Sequence, residues 1–143
     1  RPRPAAGMAR RDEEAAASEF QRGLQAMPVG AGDVLAHRAE RLPPALFARL
    51  RRGQFAVQDE LDLHGASAFQ AEALLRSFLQ RARREGSACV RVIHGKGRGS
   101  EADIPVLKNV VDRVLRQRAE VLAFHSAPQA QGGTGAVLVL LAR

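Results

Sequence analysis

An α/β fold built on a mixed sheet follows from three features of the chain's second part. Short runs rich in branched apolar residues alternate with stretches whose apolar residues recur at helical spacing. Glycine-rich segments separate them. The last run, Ala136 to Leu141, is apolar at every position, as in a strand buried on both faces. In order, residues 54–143 read β-α-β-α-β-β, with the helices covering the sheet.

Each element has its own signal. Leu61 and Leu63 flank Asp62 on a short strand. Ser67, followed three residues later by Gln70, makes a capping box that starts a helix. Phe69, Leu74, Leu75, Phe78, Leu79 and Ala82 give that helix an apolar face, and Glu85-Gly86-Ser87 ends it. Cys89 to Ile93 is the second strand. Asp103 caps a second helix, with Pro105 in its first turn and Leu107, Val110, Val111, Val114 and Leu115 facing inward. Val121 to Phe124 is the third strand, and Pro128 to Gly135 is a loop. Strands joined by helices require right-handed crossovers, hence partly parallel pairing. Ligands in such sheets bind where strands end at their carboxyl termini.

Residues 1–53 read differently, as a basic N-terminal extension rich in Ala, Arg, Pro and Gly. They hold ten basic and six acidic residues. A helix is expected over 10–26, broken by Met27-Pro28-Val29-Gly30-Ala31-Gly32. Pro43-Pro44 opens a short helix reaching Arg52. Large apolar side chains are too few for a separate core. The extension is expected to be partly helical and partly disordered, docking on the domain at 54–143. No methionine initiates the chain, which therefore reads as a fragment or processed product.

The whole chain of 143 residues carries 22 Lys+Arg against 15 Asp+Glu, a formal charge of +7. That balance favours a polyanionic partner, nucleic acid ahead of an anionic membrane surface. No run of about 18 apolar residues is present to span a membrane. Cys89 is the single cysteine, inside an apolar strand, so it reads as a buried structural thiol in a reducing, cytoplasmic setting. Six Phe with no Trp or Tyr leave little for stacking on bases, so charge and shape would hold a nucleic acid.

Two segments carry candidate chemistry. In Leu61-Asp62-Leu63-His64-Gly65, Asp62 and His64 lie two apart on a strand and share a face. A carboxylate there can fix the imidazole tautomer and raise its basicity; the plainer reading is a turn aspartate beside a backbone-bonded histidine. In His94-Gly95-Lys96-Gly97-Arg98-Gly99-Ser100, alternating glycines let the backbone approach an anion while Lys96 and Arg98 add charge. Its plainer reading is a basic solvent loop. The glycine spacing matches neither a Walker loop nor a dinucleotide fingerprint. Both segments end at strand carboxyl ends, so one sheet edge would collect a carboxylate, two imidazoles and a lysine. Those groups suit phosphodiester cleavage. His125 could join the same edge, while Gln131-Gly132-Gly133-Thr134-Gly135 is expected as a structural turn at the opposite one. A zinc site on Asp62, His64 and His94 lacks short-range ligand spacing.

Taken in order with Ala123-Phe124 and Gly132-Gly133-Thr134-Gly135-Ala136, these segments resemble the small MutS-related (Smr) domain over roughly 54–143. Arg51-Arg52-Gly53 is similar to the lead-in of stand-alone proteobacterial members. The resemblance implies a two-layer α/β sandwich like the C-terminal domain of a bacterial translation initiation factor. It implies endonuclease activity on nucleic acid, DNA in some relatives and RNA in others, including messenger RNA at stalled or collided ribosomes. Family functional positions fall on Asp62, His64, His94, Gly95 and Gly97; Lys96 occupies a variable one.

RNA cleavage needing no metal is the expected reaction: His64 as base, His94 as acid, with Gly95, Lys96, Gly97 and Arg98 on the phosphate. The alternatives are a DNA nickase in which Asp62 holds Mg²⁺, with Glu101 or Asp103, and a binding module without chemistry. Partners would be RNA or DNA and the ribosome. Oligomeric state is not legible.

Overall fold

A computed structural model describes residues 29–96 and 105–143. The helix expected over 10–26 and the cap at Asp103 lie outside these residues. Among the described residues five strands form one mixed sheet: β1 (Ala36–Arg38), β2 (Asp59–Asp62), β3 (Cys89–Ile93), β4 (Val121–Ser126) and β5 (Ala136–Leu141). The α-helices among these residues are α1 (Pro44–Arg51), α2 (Ala68–Arg84) and α3 (Val106–Gln117). Strand order is β1-β4-β5-β3-β2. Only β2 and β3 pair in parallel; the other neighbours are antiparallel. The β-α-β-α-β-β pattern holds from β2 onward.

The strand directions decide what shares an edge. β2, β3 and β4 all run the same way, so their carboxyl ends meet the amino ends of β5 and β1. The helices α2 and α3 also begin at this edge, because each leaves the carboxyl end of a strand.

Local sequence explains the helices. Ser67 Oγ accepts from Gln70 N at 3.1 Å while Gln70 Oε1 accepts from Ser67 N at 3.0 Å, the expected capping box. Such a cap is worth about 1 kcal/mol. Pro44 opens α1 where a missing N–H costs nothing. Pro105 is the N-cap of α3 rather than a first-turn residue, because its extended backbone precedes the first helical residue.

Two cores flank the sheet. Leu75, Phe78 and Leu79 of α2 and Val110, Val114 and Leu115 of α3 meet Val90, Val92, Val137 and Val139 on one face. On the other, α1 packs on β4 and β5, with Leu50 against Leu138 and Leu140. All six β5 residues are buried, as their composition predicts. Cys89 is buried too, and burial pushes its thiol up to about 11. Phe69 and Leu74 depart from expectation: both are exposed, because they project off the stripe of α2 that meets the core.

The boundary at residue 53 does not mark where the sheet begins. β1 pairs with β4, and Leu35, Leu42 and Leu50 are buried. Part of the basic extension thus supplies an edge strand, a helix and core residues. Lys108 and Asn109 on α3 hold its entry. Lys108 Nζ donates to the carbonyls of Ala31 (3.0 Å) and Asp33. Asn109 accepts from Val29 N and donates to Val29 O, both at 2.9 Å. An ammonium taken fully from water needs such acceptors; burial lowers its pKa, opposed by the carboxylates of Asp33 and Asp112.

Candidate functional site

The site edge is built from the parallel pair. Asp62 lies opposite Ile93, and Leu63 N donates to Ile93 O at 2.8 Å, so pairing continues to the last residue before each histidine. His64 and His94 therefore leave neighbouring strands at the same level. Each is followed by a glycine in the left-handed region, Gly65 at φ +81° and Gly95 at φ +84°. Those turns release the chain from the sheet, the first into α2.

Asp62 holds His64 twice. Its Oδ1 accepts from His64 N at 3.0 Å and from His64 Nδ1 at 2.9 Å. The backbone N–H first, then the ring, lower the Asp62 pKa, so the carboxylate stays ionised. With Nδ1–H committed to Asp62, the second ring nitrogen, Nε2, carries the lone pair and can accept a proton. The His64 side chain is 79% exposed, so a substrate can reach that nitrogen.

His94 is the opposite case. It is 3% exposed. Its Nδ1 donates to Gly95 O at 2.7 Å, and its buried Nε2 has no partner among the described residues. Burial, and secondarily the nearby Lys108 charge, lower its pKa to about 4 against the pull of the Gly95 carbonyl. At neutral pH it is an uncharged imidazole with a bare Nε2. The acid role expected of His94 needs a protonated ring, which the unliganded site disfavours.

The glycine turns interlock. Gly135 O accepts from both His94 N and Gly95 N, each at 3.0 Å. The Gly95 N–H, expected to face a phosphate, is thus engaged by backbone; Gly95 serves the turn instead. The same bonds place residues 132–135 at the edge carrying the histidines, not the opposite one, because β5 runs antiparallel to β3 and begins here. A Cβ on Gly135 would stand 3.0 Å from Lys96 Cγ, so this glycine lets Lys96 lie close. Lys96 itself is exposed. Gly97 and Arg98, like Glu101 and Asp103, lie outside the described residues.

His125 belongs to β4 rather than following it. Its Nδ1 donates to Ser126 O at 2.8 Å and its ring meets Phe47 edge-on with centroids 5.7 Å apart, so α1 orients it. His37, on β1, stacks by Phe124 and Arg116 away from the site. Sequence reading did not assign Gly135 to the site or bury Lys108; both depend on strand order and chain docking. Among the described residues no cluster of three His, Cys, Asp or Glu could hold a metal ion, and no helix is long and apolar enough to cross a membrane.

Two ordered histidine strand ends, one backed by a carboxylate, on a mixed α/β sheet define a recognisable type. The family model described as "Smr domain" matches residues 61–142, more than half of the chain. The chain belongs to the Smr domain family.

Among similar proteins is the ribosome rescue factor SmrB of Pectobacterium carotovorum subsp. carotovorum (strain PC1). It is 42% identical over 94 residues, covering 66% of this chain and 49% of that protein. SmrB of Escherichia coli O7:K1 is 39% identical over 93 residues, covering 65% and 48%. The chain spans about half the length of the curated relatives it matches. Among solved structures, YdaL, a stand-alone small MutS-related protein from Escherichia coli, superposes with TM-score 0.71 at 30% identity over 82% of this chain and 89% of YdaL. The Smr domain of Thermus thermophilus MutS2 gives 0.53 at 32% identity, over 59% and 99%.

Proposed function

We propose that this protein is an endonuclease that cleaves RNA through His64, without an obligatory metal, and that it acts in the cytoplasm on RNA at ribosomes. The Asp62–His64 contact carries the reading: Asp62 Oδ1 engages Nδ1 at 2.9 Å and leaves Nε2 as an accessible base. Relatives named as ribosome rescue factors support a ribosomal setting.

In the reaction, His64 Nε2 takes the proton of a ribose 2′-OH. The 2′ oxygen bonds to phosphorus, the bond to the 5′ oxygen breaks, and that oxygen leaves with a proton. Lys96, with Gly97 and Arg98, offsets charge developing on the phosphate. The amino ends of α2 and α3 add positive potential at the same edge. His94 becomes a proton donor only once a phosphate is bound, because a neighbouring anion favours the protonated ring.

The test is cleavage of labelled single-stranded RNA and supercoiled DNA by the full chain, in EDTA or in Mg²⁺. RNA cut in EDTA to a 2′,3′-cyclic phosphate and a 5′-OH is the expected result. A 5′-phosphate product, or cleavage only of DNA and only in Mg²⁺, would overturn it. Binding of RNA with no cleavage of free RNA or of RNA on collided ribosomes would leave a binding module.

A further inference from the structure

The carboxyl end of α1 reaches the site edge from the opposite face of the sheet. Gly53, at φ +71°, lies so close to the turn after β4 that a Cβ would stand 2.4 Å from Gln131 Nε2 and 3.0 Å from Pro128 Cγ. Gly53 N donates to Leu50 O at 3.0 Å, closing the corner. That turn continues directly into Gly132–Gly135, and Gly135 O holds His94 N and Gly95 N. A continuous run of contacts therefore links Arg51-Arg52-Gly53 to the strand end bearing His94 and Lys96.

Arg51 and Arg52 are both exposed at this corner. Other arginines are engaged locally: Arg76 with Glu72, Arg81 with Asp59, Arg91 with Glu60, Arg116 with Asp112 and Arg118 with Glu120, while Arg38 and Arg41 donate to backbone carbonyls. Arg49, one turn earlier, lies over the Phe55 ring at 4.8 Å. Neither Arg51 nor Arg52 has a carboxylate partner among the described residues. Two adjacent uncompensated cations on a backbone fixed by close packing suit a polyanion more than a solvated face.

We propose that Arg51 and Arg52 form a second phosphate contact, gripping the single-stranded RNA backbone on the α1 side of the histidine edge. The proposal rests on the nucleic-acid reading above. The pair positions the strand and takes no part in the chemistry. A guanidinium fork suits phosphate oxygens in two-point contact. With Lys96 at one side of the Gly132–Gly135 turn and the arginines at the other, the strand would cross that turn.

The decisive measurement is binding of a labelled 2′-O-methyl oligouridylate, which lacks the 2′-OH, across a salt series. Arg51→Ala/Arg52→Ala should bind roughly tenfold more weakly at low salt, and its log–log salt slope should fall by about 1.4. Arg51→Lys/Arg52→Lys should keep the slope. Arg51→Gln/Arg52→Gln preserves the stems should the alanine pair destabilise α1. The control is Arg83→Ala/Arg84→Ala. Those two residues also end a helix and are exposed, but α2 carries them to the opposite edge of the sheet. This control should leave the slope unchanged.

An unchanged slope for Arg51→Ala/Arg52→Ala, equal losses from the two pairs, or no binding by the native chain would each overturn the proposal. Failure of the nuclease reading shows separately, as native protein that binds this probe and leaves unmodified RNA intact.

Discussion

His64 and His94 end neighbouring parallel strands, and each precedes a glycine of nearly equal φ, yet their environments are opposed. His64 stands in solvent with one nitrogen tied to a carboxylate. His94 is buried with one nitrogen tied to a carbonyl and the other without a partner among the described residues. The carboxylate fixes Nδ1 of the first ring and leaves its Nε2 open to solvent. Burial makes the second neutral and difficult to charge. Matching sequence around two histidines thus locates them at one edge without making them equivalent; depth below the surface sets them apart.

The largest effect expected to break this comparison is catalytic. His64→Ala should lower kcat for RNA cleavage by roughly 10²–10⁴-fold. Its melting temperature should stay near native, because an exposed ring contributes little to the fold. Asp62→Asn should lose much of the same factor, since an amide can present its NH₂ and no longer selects the Nδ1–H tautomer. Calorimetry beside single-turnover kinetics separates the two readouts. A large loss of stability in His64→Ala would make the dyad structural.

The buried ring predicts a pH effect on stability. A histidine with a depressed folded pKa contributes stability above its unfolded pKa and loses it as pH falls. For His94 that window runs from 6.5 down to about 4. The shift corresponds to at most about 3 kcal/mol. Urea unfolding of the native chain should weaken across this range, and His94→Gln should flatten the dependence. A native profile as flat as that of the variant would mean that His94 is not held neutral.

Bound phosphate should then narrow the difference between the rings. NMR titration of the free chain should find His94 protonating near 4, and a bound 2′-deoxy oligonucleotide should move it upward. No movement would remove His94 from the acid role and leave His64 to act alone.

How much of this was legible in sequence follows from the range of each interaction. The capping box of Ser67 and Gln70 was readable because both partners lie within one turn. The common edge of His64 and His94 was readable because a helical crossover between strands forces parallel pairing. β1 was not: Ala36-His37-Arg38 has no apolar alternation, and its pairing with β4 spans the whole domain. The loop at 132–135 was misplaced for a related reason, since strand order alone reverses β5 beside β3. Lys108 reads as a surface cation until the Ala31 and Asp33 carbonyls are brought over it.

The smallest expected difference tests where the two segments remain alike. Gly65 and Gly95 both hold positive φ, and a Cβ at either would meet nothing within 4 Å among the described residues. Only the backbone conformation opposes a side chain, so Gly65→Ala and Gly95→Ala should each cost about 1 kcal/mol. Chemical denaturation can compare them directly. Near-equal losses would show that the turns are equivalent and that function diverges only in the histidines. A markedly larger loss at Gly95 would have a specific cause: straining this turn also disturbs the two bonds to Gly135 O, which have no counterpart at Gly65 among the described residues. The glycine turn after β3 would then couple the fold to the placement of Lys96, and Gly95→Ala should weaken RNA binding where Gly65→Ala does not.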